Sequence, residues 1–424
     1  MRIITLIATA MVAITLTART ALEEINDDLS KAGGVYYPYP VSSSLNTTPP
    51  AGYRPFYISH YGRHGSRYLI SDNDYLKVIK VLSDARSNGA LTPLGIEVAD
   101  LVDSVWIETE GRGGDLSPLG VRQHKGIAQR MYASFPEVFE GDPTMNARST
   151  IVMRCALSMD AFCEGLKELK PSLSIPREAS NRWMNYLNYH SPQSNAFTSG
   201  EWEKQYKEFE ADHTQPQRLM SSLFNDPEYM KQNVDAHQLM WGLYWLAADA
   251  PNTEGKIDFT YIFTPDELYD LWQCFNYRFY VCDSNYAGNH HMLLDNAKPL
   301  LRNILTTADE YIADADHGAT LRFGHDGNLI PLAGLLQLDD CYNSVMNPAE
   351  FADAFRTYNI SPMAANVQLV FFRNDQGDVL VKFMLNERET YIPVATDQWP
   401  FYKWNEVRAF YQSVLDTPDY LPEK

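Results

Sequence analysis

The sequence predicts an α/β fold: a three-layer α/β/α core with a mixed, mostly parallel sheet, and an inserted, mostly α-helical domain. Segments that read as a strand followed by a helix occur near both ends of the 424-residue chain. Between them, residues 166–300 are rich in Trp, Tyr and Met, with helical spacing and few strand signals. Two of the predicted strands end in His-containing turns, at the positions where such sheets bind ligands.

The first part of the core is predicted over residues 36–165. "RPFYISHYG" carries β-formers and predicts a strand that ends near Gly62. "DNDYLKVIKVLSDARSNG" has helical spacing, and two further helices each open with a proline in the first turn, "LTPLGIEVADLVDSVWIETEG" and "LSPLGVRQHKGIAQRMYASFP". "ARSTIVMRCALSMDAFCEGLKEL" predicts a short strand and then a helix.

The second part of the core is predicted over residues 301–424. A helix over "LLDNAKPLLRNILTTADEYI" leads into it. The sequence then predicts a short strand from Thr320 to Phe323, a break at Gly324 and an apolar helix from Asn328 onward. "NVQLVFFRNDQGDVLVKFMLNERETYIPV" predicts a β-hairpin that turns at "NDQGD". The Gly-, Pro- and Ser-rich stretch "AGGVYYPYPVSSSLNTTPPAGYRP" predicts an irregular lead-in to the first strand.

Residues 1–21 have the pattern of a secretory signal peptide. Arg2 supplies the positive charge, and the apolar run from Ile3 to Ala18 is shorter than the roughly 20 residues that span a bilayer. We therefore expect a mature protein that is periplasmic or secreted, with no membrane partner after the signal is removed.

The five cysteines suit an exported protein, in which disulfides are possible. An odd number leaves at least one thiol free or paired between chains, and their spacing is not that of a zinc site. We interpret them as structural, with a bridge between two of them as a candidate, Cys274–Cys282.

The formal net charge of −19 excludes one class of partner. A surface this acidic repels phosphate backbones, so nucleic acid is not expected. The expected partner is a small molecule. The "NHHM" segment at residues 289–292 does not predict a metal site, because adjacent histidines on a helix face different directions.

The turn Arg63-His64-Gly65-Ser66-Arg67 concentrates positive charge without any carboxylate. Arginine presents a planar fork of donors that matches tetrahedral oxyanions, and a glycine lets a ligand approach the backbone. Flanking guanidiniums would keep the imidazole neutral, as a nucleophile requires. An exposed basic turn is the alternative interpretation.

The second turn, His325-Asp326, follows a predicted strand and precedes an apolar helix. A carboxylic acid beside a phosphate site can donate a proton to a leaving oxygen. R-H-G-x-R near the N-terminus with a late H-D resembles the histidine acid phosphatase family, the second branch of the histidine phosphatase superfamily. "HDGNLIPLAGLLQL" is similar to that family's H-D segment, and "MRCALSMDAFCEGL" to the helix that carries its third phosphate-binding arginine.

The resemblance implies a role for each matching residue. His64 is the nucleophile that forms a phosphohistidine, and Asp326 protonates the leaving alcohol and then assists the attacking water. The phosphoryl oxygens are held by Arg63, Arg67, Arg154 and His325. No cofactor and no metal is implied, because the arginines supply the charge that magnesium supplies in kinases.

The resemblance leaves the substrate open. Bacterial phytases have Thr-Lys where this chain has Ile70 and Ser71, and many family members have proline in place of Leu69. Multiple inositol polyphosphate phosphatases resemble this chain in having a tyrosine after the second arginine, here Tyr68. These enzymes typically carry H-A-E where this chain has H-D. We predict an exported acid phosphatase for phosphomonoesters, with a phytase or inositol polyphosphate phosphatase as the alternative.

The inserted segment carries basic and aromatic residues that bear on the choice of ligand. Local basic groups such as Arg182 could offset the acidic surface for an anionic substrate. A non-catalytic binder of phosphorylated ligands or glycans, with the aromatic insertion as its platform, is an alternative of another class. It would have no use for both a nucleophile and a proton donor.

Overall fold

The computed structural model describes residues 19–41, 46–200 and 202–419. The described strands form one eight-stranded sheet in the order β3-β2-β4-β1-β5-β6-β7, with β8 paired to β6. Their bounds are β1 Arg54–Arg63, β2 Thr144–Ser149, β3 Arg177–Ala179, β4 Gly318–Gly324, β5 Asn366–Arg373, β6 Val379–Leu385, β7 Arg388–Glu389 and β8 Tyr402–Lys403.

The α-helices of the described residues surround this sheet. In chain order they are α1 Ala21–Asp27, α2 Asp72–Ser87, α3 Pro93–Thr109, α4 Pro118–Ser134, α5 Met153–Leu169, α6 Met184–Leu187, α7 Pro192–Thr198, α8 Trp202–His213, α9 Gln217–Leu223, α10 Pro227–Asn233, α11 Ala236–Asp249, α12 Pro265–Asp283, α13 Met292–Asp295, α14 Lys298–Ala313, α15 Asp326–Leu335, α16 Phe351–Ala354, α17 Thr357–Ile360 and α18 Trp404–Asp416.

The sheet is mixed, as the sequence predicts. Strands β3, β2, β4 and β1 are parallel to one another. β5 runs antiparallel to β1, and β6 antiparallel to β5, so β6 returns to the direction of β1. Most of the described strands therefore point the same way, and the predicted α/β class with a mostly parallel sheet is confirmed.

Side chains on alternate positions of β1 divide the core into two apolar layers. Ile58 packs on one face of the sheet, in a cluster with buried residues of α4 and α5. Tyr57 and Tyr61 point to the other face, in a cluster with α14, α15 and α18. Helices therefore cover both faces of the sheet, which is the predicted three-layer arrangement.

A third apolar cluster lies among helices alone. It joins α2 and α3 with α9, α11 and α12, and it includes a 3₁₀ helix, Leu29–Tyr36. Helices of the segment 166–300 thus share one core with helices from residues 72–109. The division into a core of residues 36–165 and 301–424 and an insertion of residues 166–300 stays a prediction.

Two expectations are wrong. Residues 32–36 are not an irregular lead-in, because they form the end of the buried 3₁₀ helix Leu29–Tyr36, which is kinked at Gly34 (φ 57°). The bridge Cys274–Cys282 is absent, and all five cysteines are buried free thiols. Both residues lie on α12, where eight positions separate their Cα atoms by about 12 Å. A disulfide needs less than about 7 Å.

The expected signal peptide, residues 1–21, lies outside the described residues except for its last three positions. There, the Thr20 hydroxyl accepts a hydrogen bond from the Glu23 N–H and caps α1. Within residues 19–41, 46–200 and 202–419, no helix has the length and apolar character needed to cross a membrane.

Candidate active site

The strand register brings the two basic turns together. β1 and β4 are parallel, with Arg63 opposite Gly324, so both turns follow the carboxyl ends of neighbouring strands. The His64 N–H donates to the Gly324 carbonyl over 3.0 Å, and the rings of His64 and His325 lie 5.8 Å apart between centroids. A site that the sequence predicts from two distant motifs is therefore one site in space.

The imidazole of His64 is buried. Its Nδ1 lies 2.9 Å from the Gly65 carbonyl oxygen, an acceptor, so we assign the proton to Nδ1. Nε2 then carries a free lone pair. Burial, followed by the charges of Arg63, Arg67 and Arg154, holds the pKa of His64 well below its usual 6.5. The ring is therefore neutral and suited to nucleophilic attack.

The guanidinium of Arg63 is fixed by backbone carbonyls. Nη1 donates to the carbonyl oxygens of Val35, over 2.5 Å, and Ser361, over 2.7 Å. Nη2 lies 2.8 Å from Oδ2 of Asp326. Burial lowers the pKa of Arg63 to about 10, although the Asp326 carboxylate opposes that change. Arg63 remains charged, and its position does not depend on a ligand.

Arg67 is held by Tyr36, a residue of the 3₁₀ helix. Its Nη1 donates to the Tyr36 hydroxyl over 3.1 Å and to the Tyr68 carbonyl over 2.8 Å. The guanidinium carbon lies 4.6 Å from the centre of the Tyr36 ring. Nε of Arg67 is buried and has no hydrogen-bond partner in the described part of the chain. This donor is available to an anion.

Arg154 lies in the first turn of α5 and is half-buried. Its Nε is also buried without a hydrogen-bond partner among the described residues. Burial, followed by the charge of Arg67, lowers the pKa of Arg154, and the Arg154 charge in turn lowers the pKa of His325. A third guanidinium therefore faces the same space as His64.

His325 and Asp326 begin helix α15, two residues earlier than the sequence predicts. His325 Nε2 lies 3.2 Å from the Thr150 hydroxyl, and burial lowers its pKa to about 4. Burial works against ionisation of Asp326 as well. There, however, Arg63, then His325 and Arg67, outweigh it and lower the pKa of the carboxyl. We call the set of six residues the anion pocket: Arg63, His64, Arg67, Arg154, His325 and Asp326.

Close packing against α4 explains why the first turn has a glycine, Gly65. A Cβ atom on Gly65 would lie 2.6 Å from the Gly120 backbone in α4, and one on Gly120 would lie 2.3 Å from the Ser66 carbonyl oxygen. The turn therefore contacts the start of α4 directly. The Gly65 N–H donates to the Ser158 hydroxyl over 3.0 Å, which ties the turn to α5 as well.

Several supporting residues carry no signal in the sequence. The Ser66 hydroxyl donates to Asn252 Oδ1 over 2.6 Å, and the Ser66 N–H donates to Gln123 Oε1 over 2.8 Å. Asn252 Nδ2 donates to the Tyr36 carbonyl over 2.8 Å. These bonds link the turn to the residues after α11 and to the 3₁₀ helix, contacts between elements that no short motif reveals.

A cavity of about 470 Å³ opens beside the anion pocket. We call it the aromatic cleft. It is lined by Val35, Tyr36, Arg67, Leu69, Ile70, Asp74, Trp245, Phe275, Arg278, Phe279, Asp283 and Asp326. Asp283 ends α12, and burial, followed by the charge of Asp326, raises its pKa to about 7. The sequence gives no sign that Asp283 belongs to this site.

All six predicted site residues meet in the anion pocket, while Arg182 lies elsewhere. It is exposed, with its guanidinium 4.6 Å from the Trp183 ring centre, and it does not line the aromatic cleft. Of the positions where the sequence departs from phytases, Ile70 lines the cleft and Ser71 caps α2 instead. Among the described residues, no group of three or more His, Cys, Asp or Glu side chains is placed to hold a metal ion.

Three guanidiniums around a neutral histidine, with a carboxyl group alongside, form an arrangement that suits the binding of a phosphoryl group. Residues 63–386 match the family model of the histidine phosphatase superfamily (branch 2). The chain belongs to this family, and it is accordingly a hydrolase of phosphate monoesters. The resemblance noted in its motifs is confirmed.

Solved structures share the fold of this chain. The multiple inositol polyphosphate phosphatase of Bifidobacterium longum, in complex with inositol hexasulfate, is 20% identical, with a TM-score of 0.67 over 90% of this chain and 97% of that chain. The phytase from D. castellii is 18% identical, with a TM-score of 0.67 over 92% and 86%.

The apo phytase of Hafnia alvei is 13% identical, with a TM-score of 0.53 over 88% of this chain and 100% of that chain. At these identities the likeness establishes the fold. A comparison with curated proteins found no match.

Proposed function

We propose that the protein is an exported acid phosphatase that hydrolyses phosphomonoesters through a phosphohistidine at His64, without a metal. The observation that carries this proposal is the neutral, buried His64, whose free Nε2 shares its surroundings with Arg63, Arg67 and Arg154. The three cations attract a phosphoryl group to the one uncharged nucleophile among them.

In the first half of the reaction, His64 Nε2 attacks phosphorus. The Nε2–P bond forms while the bond from phosphorus to the ester oxygen breaks. The three arginines and His325 hold the non-bridging oxygens, and the unpartnered Nε atoms of Arg67 and Arg154 are donors for them. Asp326 gives its proton to the departing oxygen, so an alcohol leaves rather than an alkoxide.

This step requires a protonated Asp326, whereas the free site favours the carboxylate beside Arg63. A bound phosphoryl dianion competes for the Arg63 guanidinium and repels a nearby negative charge. Both effects raise the pKa of Asp326 when substrate binds. The neighbouring Asp283 acts in the same direction. We therefore expect activity at acidic pH, with a loss as Asp326 ionises in the complex.

In the second half, water attacks the phosphorus of phosphohistidine. The carboxylate of Asp326 accepts a proton from that water, the Nε2–P bond breaks, and inorganic phosphate leaves. His64 returns to its neutral form and Asp326 to its acid form. The site then stands ready for another substrate.

An inositol polyphosphate phosphatase is the alternative, and the fold shared with the Bifidobacterium longum enzyme favours it. The segment 166–300 is proposed as the cap domain that shapes the substrate site, because it supplies Trp245, Phe275 and Asp283 to the aromatic cleft. Export rests on residues 1–21. Sequencing of the mature N-terminus would test it.

The test of phosphatase action uses purified protein at pH 5 with excess EDTA. We expect phosphate release from p-nitrophenyl phosphate and from simple alkyl phosphates. His64→Ala should lose at least about 10⁴-fold in kcat, while His317→Ala, at a half-exposed histidine that contacts the Glu140 carbonyl, should retain full activity.

Quenching with alkali during turnover of ³²P-labelled substrate should trap a phosphoenzyme. It should be stable to base, labile to acid and absent from His64→Ala. Binding of phosphate esters by calorimetry without any product release would contradict the proposal and favour a non-catalytic binder.

A further inference from the structure

We propose that the aromatic cleft selects monoesters with a single phosphoryl group on an aromatic leaving group and disfavours polyphosphorylated substrates. The inference rests on the proposed phosphatase function and names the substrate class for the same site. It is carried by the side chains that line the cleft between Arg67 and Arg278.

One side of the cleft is a continuous set of aromatic rings, which we call the aromatic wall: Tyr36, Trp245, Phe275 and Phe279. Adjacent ring centroids are 6.0 Å apart for Tyr36 and Trp245, 4.8 Å for Trp245 and Phe275, and 5.1 Å for Phe275 and Phe279. Contacts of this kind hold each ring in place. The wall therefore offers a preformed apolar surface.

The aromatic wall begins at the anion pocket. Tyr36 accepts a hydrogen bond from Arg67, a residue of that pocket. Asp326, the proposed proton donor, also lines the cleft. An ester whose phosphoryl group occupies the anion pocket therefore directs its leaving group along the wall. Ile70, which is 52% exposed, and Leu69 add aliphatic surface to the same cavity.

The charges of the cleft oppose a second phosphate. Its lining contains two arginines, Arg67 and Arg278, and three aspartates, Asp74, Asp283 and Asp326. Arg67 is committed to the reacting phosphoryl group. Arg278 remains, but its charge acts on Asp283, five residues further along α12. At acidic pH Asp283, whose pKa is about 7, is largely neutral, and the substrate complex protonates Asp326. A polyphosphorylated ring would then meet Arg278 as the further cation of the lining, and its remaining phosphates would lie against Asp74 and the apolar aromatic wall.

The cavity volume of about 470 Å³ suits a leaving group of one or two rings. An aromatic leaving group gains contact with the wall and brings no extra charge. A short alkyl group carries the same charge but leaves the wall uncovered. The preference for an aromatic ester should therefore appear even when the two leaving alcohols are equally acidic. A difference in kcat/KM between such esters does not come from the ease of breaking the P–O bond.

The first test compares 2-phenylethyl phosphate with butyl phosphate, whose leaving alcohols are similarly acidic. We expect kcat/KM to favour the aromatic ester by about tenfold or more. Trp245→Ala should abolish most of that preference, and the milder Phe279→Leu part of it. Both variants should lose a larger factor in kcat/KM for 2-phenylethyl phosphate than for butyl phosphate.

The matched control is Trp399→Ala. Trp399 is 41% exposed, stacks on Tyr391 and does not line the cleft, so its loss should leave the preference unchanged. Equal kcat/KM for the two esters in the wild-type enzyme, or an unchanged preference in both cleft variants, would overturn the role of the wall.

The second test measures inositol hexakisphosphate against 2-phenylethyl phosphate. We expect the wild-type enzyme to favour the phenylethyl ester. At pH 7.5, above the Asp283 pKa of about 7, Asp283→Asn should raise the relative kcat/KM for the hexakisphosphate several-fold, and at pH 5 it should change this ratio little. Asp270→Asn is the control, since Asp270 lies on the same helix outside the cleft. A wild-type enzyme that favours the hexakisphosphate would overturn the inference.

These outcomes separate the inference from the function on which it rests. If no phosphate ester of any kind is hydrolysed, the phosphatase proposal fails. If esters are hydrolysed with His64 dependence but without preference for an aromatic group, phosphatase action stands and the selectivity inference alone fails.

Discussion

The anion pocket and the aromatic cleft share Arg67 and Asp326, yet the chain builds them in different ways. Most of the pocket comes from two short turns, residues 63–67 and 325–326, at the ends of adjacent parallel strands. The cleft draws its side chains from the 3₁₀ helix, from α2, α11 and α12, and from the segment before α2. The proposed chemistry therefore uses residues from short segments of the sequence, whereas the proposed selectivity depends on how the helices pack.

This difference has a kinetic consequence. A change in the pocket should affect every phosphate ester, because all of them place the same phosphoryl group there. A change in the cleft should affect esters according to their leaving group.

Asp326→Asn should have a large effect that depends on the acidity of the leaving group. An amide cannot protonate the departing oxygen, so kcat for alkyl phosphates should fall by about 10³-fold. p-Nitrophenolate departs without a proton, so p-nitrophenyl phosphate should lose far less. Steady-state kinetics with both esters measures this. An equal loss for the two would show that Asp326 is not the proton donor.

Arg154→Ala should lower kcat/KM by about 10²-fold, because one donor to the phosphoryl oxygens is lost. The factor should be the same for 2-phenylethyl and butyl phosphate, since Arg154 does not line the aromatic cleft. Arg182→Ala is the control and should retain wild-type kinetics. A loss confined to one ester would place Arg154 on the leaving-group side instead.

Asp249 connects the two regions, and replacing it should change stability with pH. Its Oδ2 accepts hydrogen bonds from the Tyr75 hydroxyl, over 2.7 Å, and the Leu69 N–H, over 3.2 Å. Burial raises its pKa to about 7. Because the folded-state pKa exceeds the unfolded one, this group's contribution to stability is complete below about pH 4 and is lost as pH rises through 7.

Asp249→Asn keeps an acceptor oxygen but cannot ionise. The variant should therefore be more stable than wild type at pH 8, by about 2 kcal/mol, and closer to wild type at pH 5. Urea unfolding at the two pH values measures this, with Asp84→Asn on the exposed face of α2 as the control. Identical pH dependence in wild type and Asp249→Asn would contradict the raised pKa.

Ile70→Lys should have the smallest effect. Ile70 is 52% exposed and lines the cleft, so a lysine fits there and adds one positive charge. We expect a relative gain of about threefold to tenfold in kcat/KM for inositol hexakisphosphate, with little change for butyl phosphate. Measurement at low and high salt should show the gain shrink as charges are screened. An equal gain in kcat/KM for butyl phosphate would show that the added charge does not act on the extra phosphates of inositol hexakisphosphate.

Much of the fold follows from local pattern. The prolines that begin α3 and α4 and the turn residues between β5 and β6 are signals that a segment carries by itself. The lead-in prediction failed at residues 32–36, where Gly and Pro suggested a loop. Those residues are buried against α11 and α12, contacts that composition does not reveal.

The residues of the candidate site also divide into those that the sequence reveals and those that it does not. His64, Arg63, Arg67 and the His325-Asp326 pair are recognisable because the chemistry needs these residue types at fixed spacing. Tyr36 and Asp283 cannot be recognised in the sequence, because a tyrosine near two glycines and an aspartate at a helix end are ordinary features. Their roles arise from what they contact, Arg67 in one case and the surroundings of Asp326 in the other.

The sequence by itself determined the class of fold and the phosphatase family, and it predicted the residues of the anion pocket, because short motifs encode strand ends and anion-binding groups directly. Only the tertiary structure decided what lies beside that pocket. The register of β1 with β4 joined the two turns, and the packing of α11 and α12 against the 3₁₀ helix placed an aromatic wall next to Arg67. Such contacts join residues far apart in the chain, so no local pattern records them.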